Sequence, residues 1–291
     1  MPDILHNTDN HLLRAAASIG TSSPSHFLRW AGWAGRKAGK TVNQFVHWPI
    51  IERFLVAPHI CTMSNPRKVV ELFYDVVSPY SWLGFEVLCR YRNVWNIDLR
   101  FRPAYLGGVM HLSGNKPPAT VPNKALYMAT DLVRQAQYCN IPLRSPANPF
   151  EAMFEKGSLN AMRFVTAVSE KEKVGDSLVE KVSRELWKRI WSADQDITEP
   201  GSLSEAGLKA GFSASEVEEL LKLAKSQQVK DKLKQTTTEA MEHKAFGFPL
   251  IVCHVDGKPE VFFGSDRFEL MAYCIGEKWQ GPQPDKLTAK M

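Results

Sequence analysis

Ser78, Phe248 and the pair Ser265-Asp266 are the residues of this chain whose types and settings can do chemistry together. Ser78 stands before Pro79, at the end of the apolar run KVVELFYDVV over residues 68–77. Serine followed by proline is the N-cap and first residue of a helix. Backbone N–H groups without intrahelical partners and the helix dipole favour an anion at that point. A thiolate is such an anion, and a thiol held there ionises more readily because its charged form is stabilised. No cysteine stands at this helix start, and Cys89 lies about three turns further on. The thiol must therefore arrive with a substrate, and the Ser78 hydroxyl can donate a hydrogen bond to it without a general base of its own.

A lone Ser-Pro is ordinarily only a cap, but two further features point the same way. Phe248-Pro249 stands directly before a second apolar run, where proline is out of place unless it shapes a site. An X-Pro bond there can be cis, which leaves the Phe248 backbone open to pair with a peptide ligand. Ser265-Asp266 at a second helix start offers a hydroxyl and N–H groups for a carboxylate, and an acid for an ammonium group. All three points fall at the ends of α/β elements, where ligands gather.

The elements that must position these residues follow from periodicity. Residues 68–77 read as a buried strand. Residues 79–92 carry Trp82, Phe85, Leu88 and Cys89 on one helical face, and residues 96–103 alternate Ile97, Leu99 and Phe101 as a second strand. Residues 105–122 contain Gly and Pro and read as loop. Helical stretches follow near 123–138, 148–172, 174–192, 201–210 and 213–243, with no strand between them. Strand character returns over 247–264 as a hairpin turning at Asp256-Gly257, and a last helix covers about 266–277 with Phe268, Met271, Ala272 and Ile275 on one face. The order β-α-β, helices, β-β-α describes an α/β domain with a helical domain inserted in it.

Taken in order, the segments ELFYDVVSPYSWLGFEVLCRY, SGNKPP, EKGSLNAMRF, SRELWKRIW, DITEP, AFGFP and FGSDRFEL resemble the kappa-class glutathione transferases, over about residues 66–282. This is the thioredoxin-like fold with its redox C-x-x-C replaced by Ser78-Pro79-Tyr80-Ser81. The resemblance implies a thioredoxin-like domain over 66–106 and 244–282, and an inserted all-helical domain over 107–243. It also implies a homodimer that binds glutathione and conjugates it to hydrophobic electrophiles, with peroxide reduction as a side activity and no cofactor beyond glutathione as co-substrate. Ser78 then matches the catalytic serine that stabilises the glutathione thiolate, and Pro79 and Tyr80 complete its motif. Asn115 matches a glutathione contact, and Lys124 a residue facing the glycyl carboxylate. Phe248, where mammalian members usually carry Leu, precedes the proline and pairs through its backbone with the cysteinyl part. Ser265 and Asp266 match the pair that grips the γ-glutamyl end. The closely related 2-hydroxychromene-2-carboxylate isomerases share the motif and the fold, so glutathione-dependent isomerisation is the alternative chemistry. A non-enzymatic scaffold or chaperone-like protein, using the groove for docking, is an alternative of another class.

Composition bounds the rest. The 291 residues are 44% hydrophobic and 23% charged, with a net charge of +5. That is a globular composition in a chain long enough to bury a large core without disulfide or metal staples. Residues 1–62 hold six Lys/Arg against three acids, leaving 30 against 28 in the nearly neutral remainder, which shows no basic stripe for nucleic acid. No apolar run is long enough for a transmembrane helix. Five cysteines without a C-x-x-C pair fit neither a zinc site nor a disulfide framework. His111, His243 and His254 form no metal-binding spacing, Glu71 and Asp75 read as structural, Trp187 and Trp191 as core or interface, and residues 216–234 as a solvated helix face. Residues 11–51 contain no acid and are Arg-, Ala- and Ser-rich, as in a mitochondrial presequence, so residues 1–62 read as a targeting or disordered extension. The tail 283–291 ends Ala289-Lys290-Met291, close to a peroxisomal address. The expected location is the mitochondrial matrix, the peroxisome, or both.

Overall fold

The structure is a computed structural model that describes residues 66–172 and 175–284. The proposed targeting segment 1–62 and the terminal Ala289-Lys290-Met291 lie outside the described residues. Strand β1 (Lys68–Tyr74) leads into helix α1 (Pro79–Tyr91) and strand β2 (Ile97–Pro103). Helices α2 (Leu106–Ser113), α3 (Pro122–Cys139), α4 (Leu159–Lys171), α5 (Ser177–Ser192), α6 (Pro200–Ala210), α7 (Ala214–Ala224) and α8 (Gln227–Glu242) follow without an intervening strand. Strands β3 (Leu250–Val255) and β4 (Lys258–Phe263) and helix α9 (Phe268–Ile275) complete the described chain. This is a thioredoxin-like α/β fold with a helical insertion.

The sheet runs β2-β1-β3-β4. Central β1 pairs parallel with β2 and antiparallel with β3, and β3 pairs antiparallel with β4. Its position explains its composition: Val70, Leu72, Phe73 and Tyr74 are all essentially inaccessible. The alternation in β2 buries Ile97, Leu99 and Phe101 and leaves Arg100 exposed. Trp82, Phe85 and Leu88 press α1 onto the sheet.

Aromatic contacts join this α/β part to the helices. Phe85 lies 4.5 Å from Phe101 and 4.7 Å from Trp187, measured between ring centroids, and Tyr74 lies 5.3 Å from Trp187. Arg184 of α5 holds Glu86 of α1 through both carboxylate oxygens, at 2.7 and 3.1 Å. Trp187 and Trp191 are fully buried, so they belong to the core. Deleting a buried indole of this kind costs about 3–5 kcal/mol.

Four boundaries differ from those read in the sequence. The expected loop 105–122 contains α2, because its two glycines serve packing rather than chain reversal. A Cβ on Gly107 would sit 2.7 Å from the Tyr105 ring, and one on Gly108 would sit 3.2 Å from Thr237. The expected helix 148–172 is instead a π-helical turn, Glu151–Lys156, separated from α4 at Gly157, whose φ is 68°. The expected helix 213–243 divides at Lys225-Ser226, where the Ser226 side chain caps α8. Finally, α9 starts at Phe268 with Arg267 as its N-cap, so Ser265-Asp266 lies in the turn before the helix. The β3–β4 turn at Asp256-Gly257 lies where it was expected. Over residues 216–234 the charges face solvent, while Val217, Leu220, Val229 and Leu233 point inward. Among the described residues no helix is long and apolar enough to cross a membrane.

Candidate active site

Ser78 is the N-cap of α1, with φ −86° and ψ 117°, and Pro79 occupies the first helical position. Its hydroxyl oxygen accepts from the Ser81 N–H at 3.1 Å and donates to the Phe248 carbonyl at 3.3 Å. The second bond is long for a hydroxyl donor, so the proton on Ser78 Oγ is free to move to a better acceptor. An anionic acceptor is better, because charge-assisted hydrogen bonds are roughly twice as strong as neutral ones. The Phe248-Pro249 bond is cis. Three contacts fix the Ser78 backbone: its N–H donates to the Asp75 carbonyl at 3.0 Å, and its carbonyl accepts from the Trp82 N–H at 3.3 Å and from the Trp187 indole at 3.2 Å.

This turn borders a cavity of about 660 Å³, within the roughly 300–1,000 Å³ usual for small-molecule sites. Ser78, Pro79, Tyr80, Asn115, Phe248, Ser265 and Asp266 all line it, although they come from four separated stretches of the chain. Lys124 does not. It is exposed in the first turn of α3 and borders a shallower neighbouring depression shared with Tyr80, Tyr127 and Met128. The apolar part of the main wall includes Tyr105, Met110, Met128, Met153 and Phe154, which are half-buried. Methionines there present a polarizable surface that adapts to irregular apolar ligands.

The polar groups differ in their roles. The Tyr80 hydroxyl donates to Asp131 Oδ2 at 2.9 Å. Burial, and then the Asp131 carboxylate, push its phenol far above the ordinary tyrosine range, so it stays protonated. Asn115 donates from its amide to the Phe246 carbonyl at 2.6 Å and accepts from the Lys116 N–H, tying the loop after α2 to the segment that carries Phe248. Asp266 is exposed at the cavity edge and sits 3.5 Å from Arg267. Its carboxylate and the Asp131 carboxylate make this end of the cavity acidic, suited to an ammonium group.

The protein's own thiols are poorly placed for chemistry. Among the described residues no cysteine lines the cavity. Burial pushes the Cys139 thiol up to about 11 and the Cys253 thiol up to about 12, and it raises the Cys89 thiol as well. A thiol brought by a ligand meets the opposite setting at the start of α1, where helix N–H groups and a hydroxyl favour the charged form.

Three contributors were not read as site residues from sequence: Asp131 carried no signal, Asp75 reads there as structural and Trp187 as core or interface. Asp131 stands 51 residues from Tyr80, and Trp187 stands 109 residues from Ser78. Asp75 lies just past the end of β1, not on it, with both oxygens engaged beneath the cavity. Only the apolar setting of Asp75 in the run FYDVV marks it as unusual in the sequence.

Comparison with known proteins gives this arrangement a family. The DSBA-like thioredoxin domain family matches residues 69–276. The chain is 51% identical to human glutathione S-transferase kappa 1 over 229 residues, covering 79% of this chain and 100% of that one. It is 25% identical to a 2-hydroxychromene-2-carboxylate isomerase of Pseudomonas putida over 210 residues, covering 72% and 94%. A solved 2-hydroxychromene-2-carboxylate isomerase superimposes with a TM-score of 0.56 at 22% identity, over 72% of this chain and 94% of that one, a likeness in fold. With the family model spanning most of the chain and a relative matched over its whole length, the chain belongs to the DsbA-like thioredoxin family and, within it, to the kappa glutathione S-transferases.

Proposed function

We infer that this protein is a glutathione transferase that lowers the pKa of the glutathione thiol at Ser78 and delivers the thiolate to an electrophile in the same cavity. The observation that carries the reading is the position of the Ser78 hydroxyl. It caps α1 by accepting from the Ser81 N–H, lines the cavity, and donates its own proton only to the Phe248 carbonyl, a long bond at 3.3 Å. Glutathione binds with its cysteinyl part along Phe248, its γ-glutamyl end toward Ser265 and Asp266, and its glycyl end toward Asn115 and Lys124. Ser78 Oγ then turns its proton from the Phe248 carbonyl to the thiolate. The thiol proton leaves to solvent, a carbon–sulfur bond forms as the thiolate attacks, and the leaving group departs with the bonding pair. With a peroxide as electrophile, the thiolate takes one oxygen as the O–O bond breaks, and a second glutathione displaces hydroxide to form the disulfide. Glutathione is the only co-substrate this scheme needs.

The Met-rich wall supports a hydrophobic electrophile. Homodimerisation is part of the same reading. Leu126, Tyr127, Val133 and Tyr138 on α3 are 57–70% exposed, an apolar face of the kind that marks interfaces. The acid-free, basic stretch 11–51 supports delivery to the mitochondrial matrix, and the terminal Ala289-Lys290-Met291 supports delivery to the peroxisome.

The deciding experiment follows thiol ionisation of bound glutathione by ultraviolet absorbance, in wild type and in Ser78→Ala. A lowered thiol pKa that returns toward the free value in the variant supports the reading. Binding without a shift favours a scaffold that merely retains the groove. Isomerisation is distinguished by products: a stable thioether indicates transfer, and unchanged glutathione with a rearranged substrate indicates isomerisation.

A further inference from the structure

Asp75 is fully buried at the junction of three segments that build the cavity. Its Oδ1 accepts from the Val77 N–H at 3.0 Å, and its backbone carbonyl accepts from the Ser78 N–H at 3.0 Å. Its Oδ2 accepts from the Leu106 N–H, where α2 begins, and from the Ser158 hydroxyl, where α4 begins, each at 2.8 Å. Val77, Leu106 and Ser158 are themselves cavity-lining residues. One side chain therefore connects the turn that carries Ser78 to two other walls of the same cavity.

We propose that Asp75 is a positioning residue for thiolate activation: its carboxylate holds the Val77–Ser78 turn against α2 and α4, so that the Ser78 hydroxyl and the start of α1 meet the substrate sulfur. This rests on the reading of Ser78 given above. The geometry calls for an acceptor on both oxygens. A carboxylate is acceptor-only and can take all three donors at once. An amide in its place turns an N–H₂ toward either the Val77 N–H or the Leu106 N–H and loses at least one of these bonds. A buried charge is costly and is retained only where its hydrogen bonds are made. Burial pushes the Asp75 carboxyl up to about 6, against the lowering effect of its three hydrogen bonds, which leaves it mainly ionised at neutral pH. The titratable groups that feel its charge are the Tyr74 phenol at the end of β1, whose hydroxyl bonds Ser183 of α5, and the Tyr105 phenol before α2. Burial raises both phenols, so neither is a competing anion.

The test measures the thiol pKa of bound glutathione in wild type, Asp75→Asn and Ser158→Ala, with thermal unfolding recorded on the same samples. Positioning predicts a rise on the order of one unit in Asp75→Asn, a tenfold loss of thiolate near neutrality, and a smaller rise in Ser158→Ala. Loss of stability with an unchanged thiol pKa in Asp75→Asn overturns the proposal and leaves Asp75 a structural residue. If Asp75→Asn does not fold, Ser158→Ala decides: a raised thiol pKa at near-wild-type stability supports the proposal, and an unchanged one overturns it. A wild-type protein that binds glutathione without lowering its thiol pKa overturns the Ser78 reading too, whereas a lowered pKa common to all three proteins overturns the Asp75 inference alone.

Discussion

The indole Nε1 of Trp187 donates to the Ser78 carbonyl at 3.2 Å, across 109 residues of sequence. The helical insertion thus reaches into the α/β part and holds the backbone of the residue at its reactive turn. The Trp82 N–H shares that carbonyl at 3.3 Å. The indole bond is therefore an additional restraint on a helix N-terminus, and its loss leaves the helical bond in place.

Trp187→Phe removes that restraint and part of the buried ring. A buried hydrogen bond is worth about 1 kcal/mol, and the lost volume adds about 1–3 kcal/mol. Thermal unfolding is expected to shift down accordingly. Catalytic efficiency should fall about tenfold through weaker thiol ionisation, read by titrating bound glutathione. Reduced stability with unaltered thiol ionisation would assign Trp187 to the core alone.

Tyr80→Phe leaves the Asp131 carboxylate without its phenolic donor. Because the wild-type phenol stays protonated well above neutrality, Tyr80 acts as a donor and not as a base. The expected result is a KM for glutathione raised about tenfold, equivalent to ~1.4 kcal/mol, with little change in kcat. A large fall in kcat at unchanged KM would move Tyr80 into the chemical step.

Asp75 predicts a pH signature in stability. Its folded carboxyl ionises near 6, against an ordinary value of 3.8. The folded state therefore holds the proton more tightly than the unfolded state. The contribution favours folding fully below about pH 4 and is lost as pH rises through about 6, a change of about 3 kcal/mol. Wild type should lose stability relative to Asp75→Asn as pH rises from about 4 to about 6. Denaturant unfolding of both proteins across that range measures this difference, and parallel curves would contradict it.

The exposed apolar face of α3 predicts self-association through that face. Leu126→Glu with Val133→Glu places charges among exposed apolar side chains, far from the Ser78 turn in sequence. Sedimentation should show a dimer in wild type and a shift toward monomer in the double variant. A wild-type monomer, or a dimer indifferent to both charges, would place the contact elsewhere or remove it.

Much of the architecture was legible because local signals and tertiary fit agree. KVVELFY is apolar apart from Lys68 and Glu71 and lies between two partner strands, and Ser-Pro marks the start of α1. Seven of the eight proposed site residues line one cavity, because the ends of these α/β elements and the loop after α2 converge there. The misread segments were those where local chemistry gives way to packing. Gly107 and Gly108 look like loop residues yet lie in α2, at positions where a side chain would meet Tyr105 and Thr237. Gly157 and Ser226 interrupt helical patterns whose apolar spacing runs on through the break. The Tyr80–Asp131 and Ser78–Trp187 contacts left no sequence signal, because each joins residues that only the insertion brings together.

The Ser78 hydroxyl stabilises a glutathione thiolate on this reading, and ultraviolet titration of glutathione bound to wild type and to Ser78→Ala measures that stabilisation. The thiol pKa is expected to be lowered in wild type and raised by about one unit or more in the variant, ~1.4 kcal/mol of lost thiolate stabilisation, with binding retained. Equal thiol pKa values in the two proteins would contradict it.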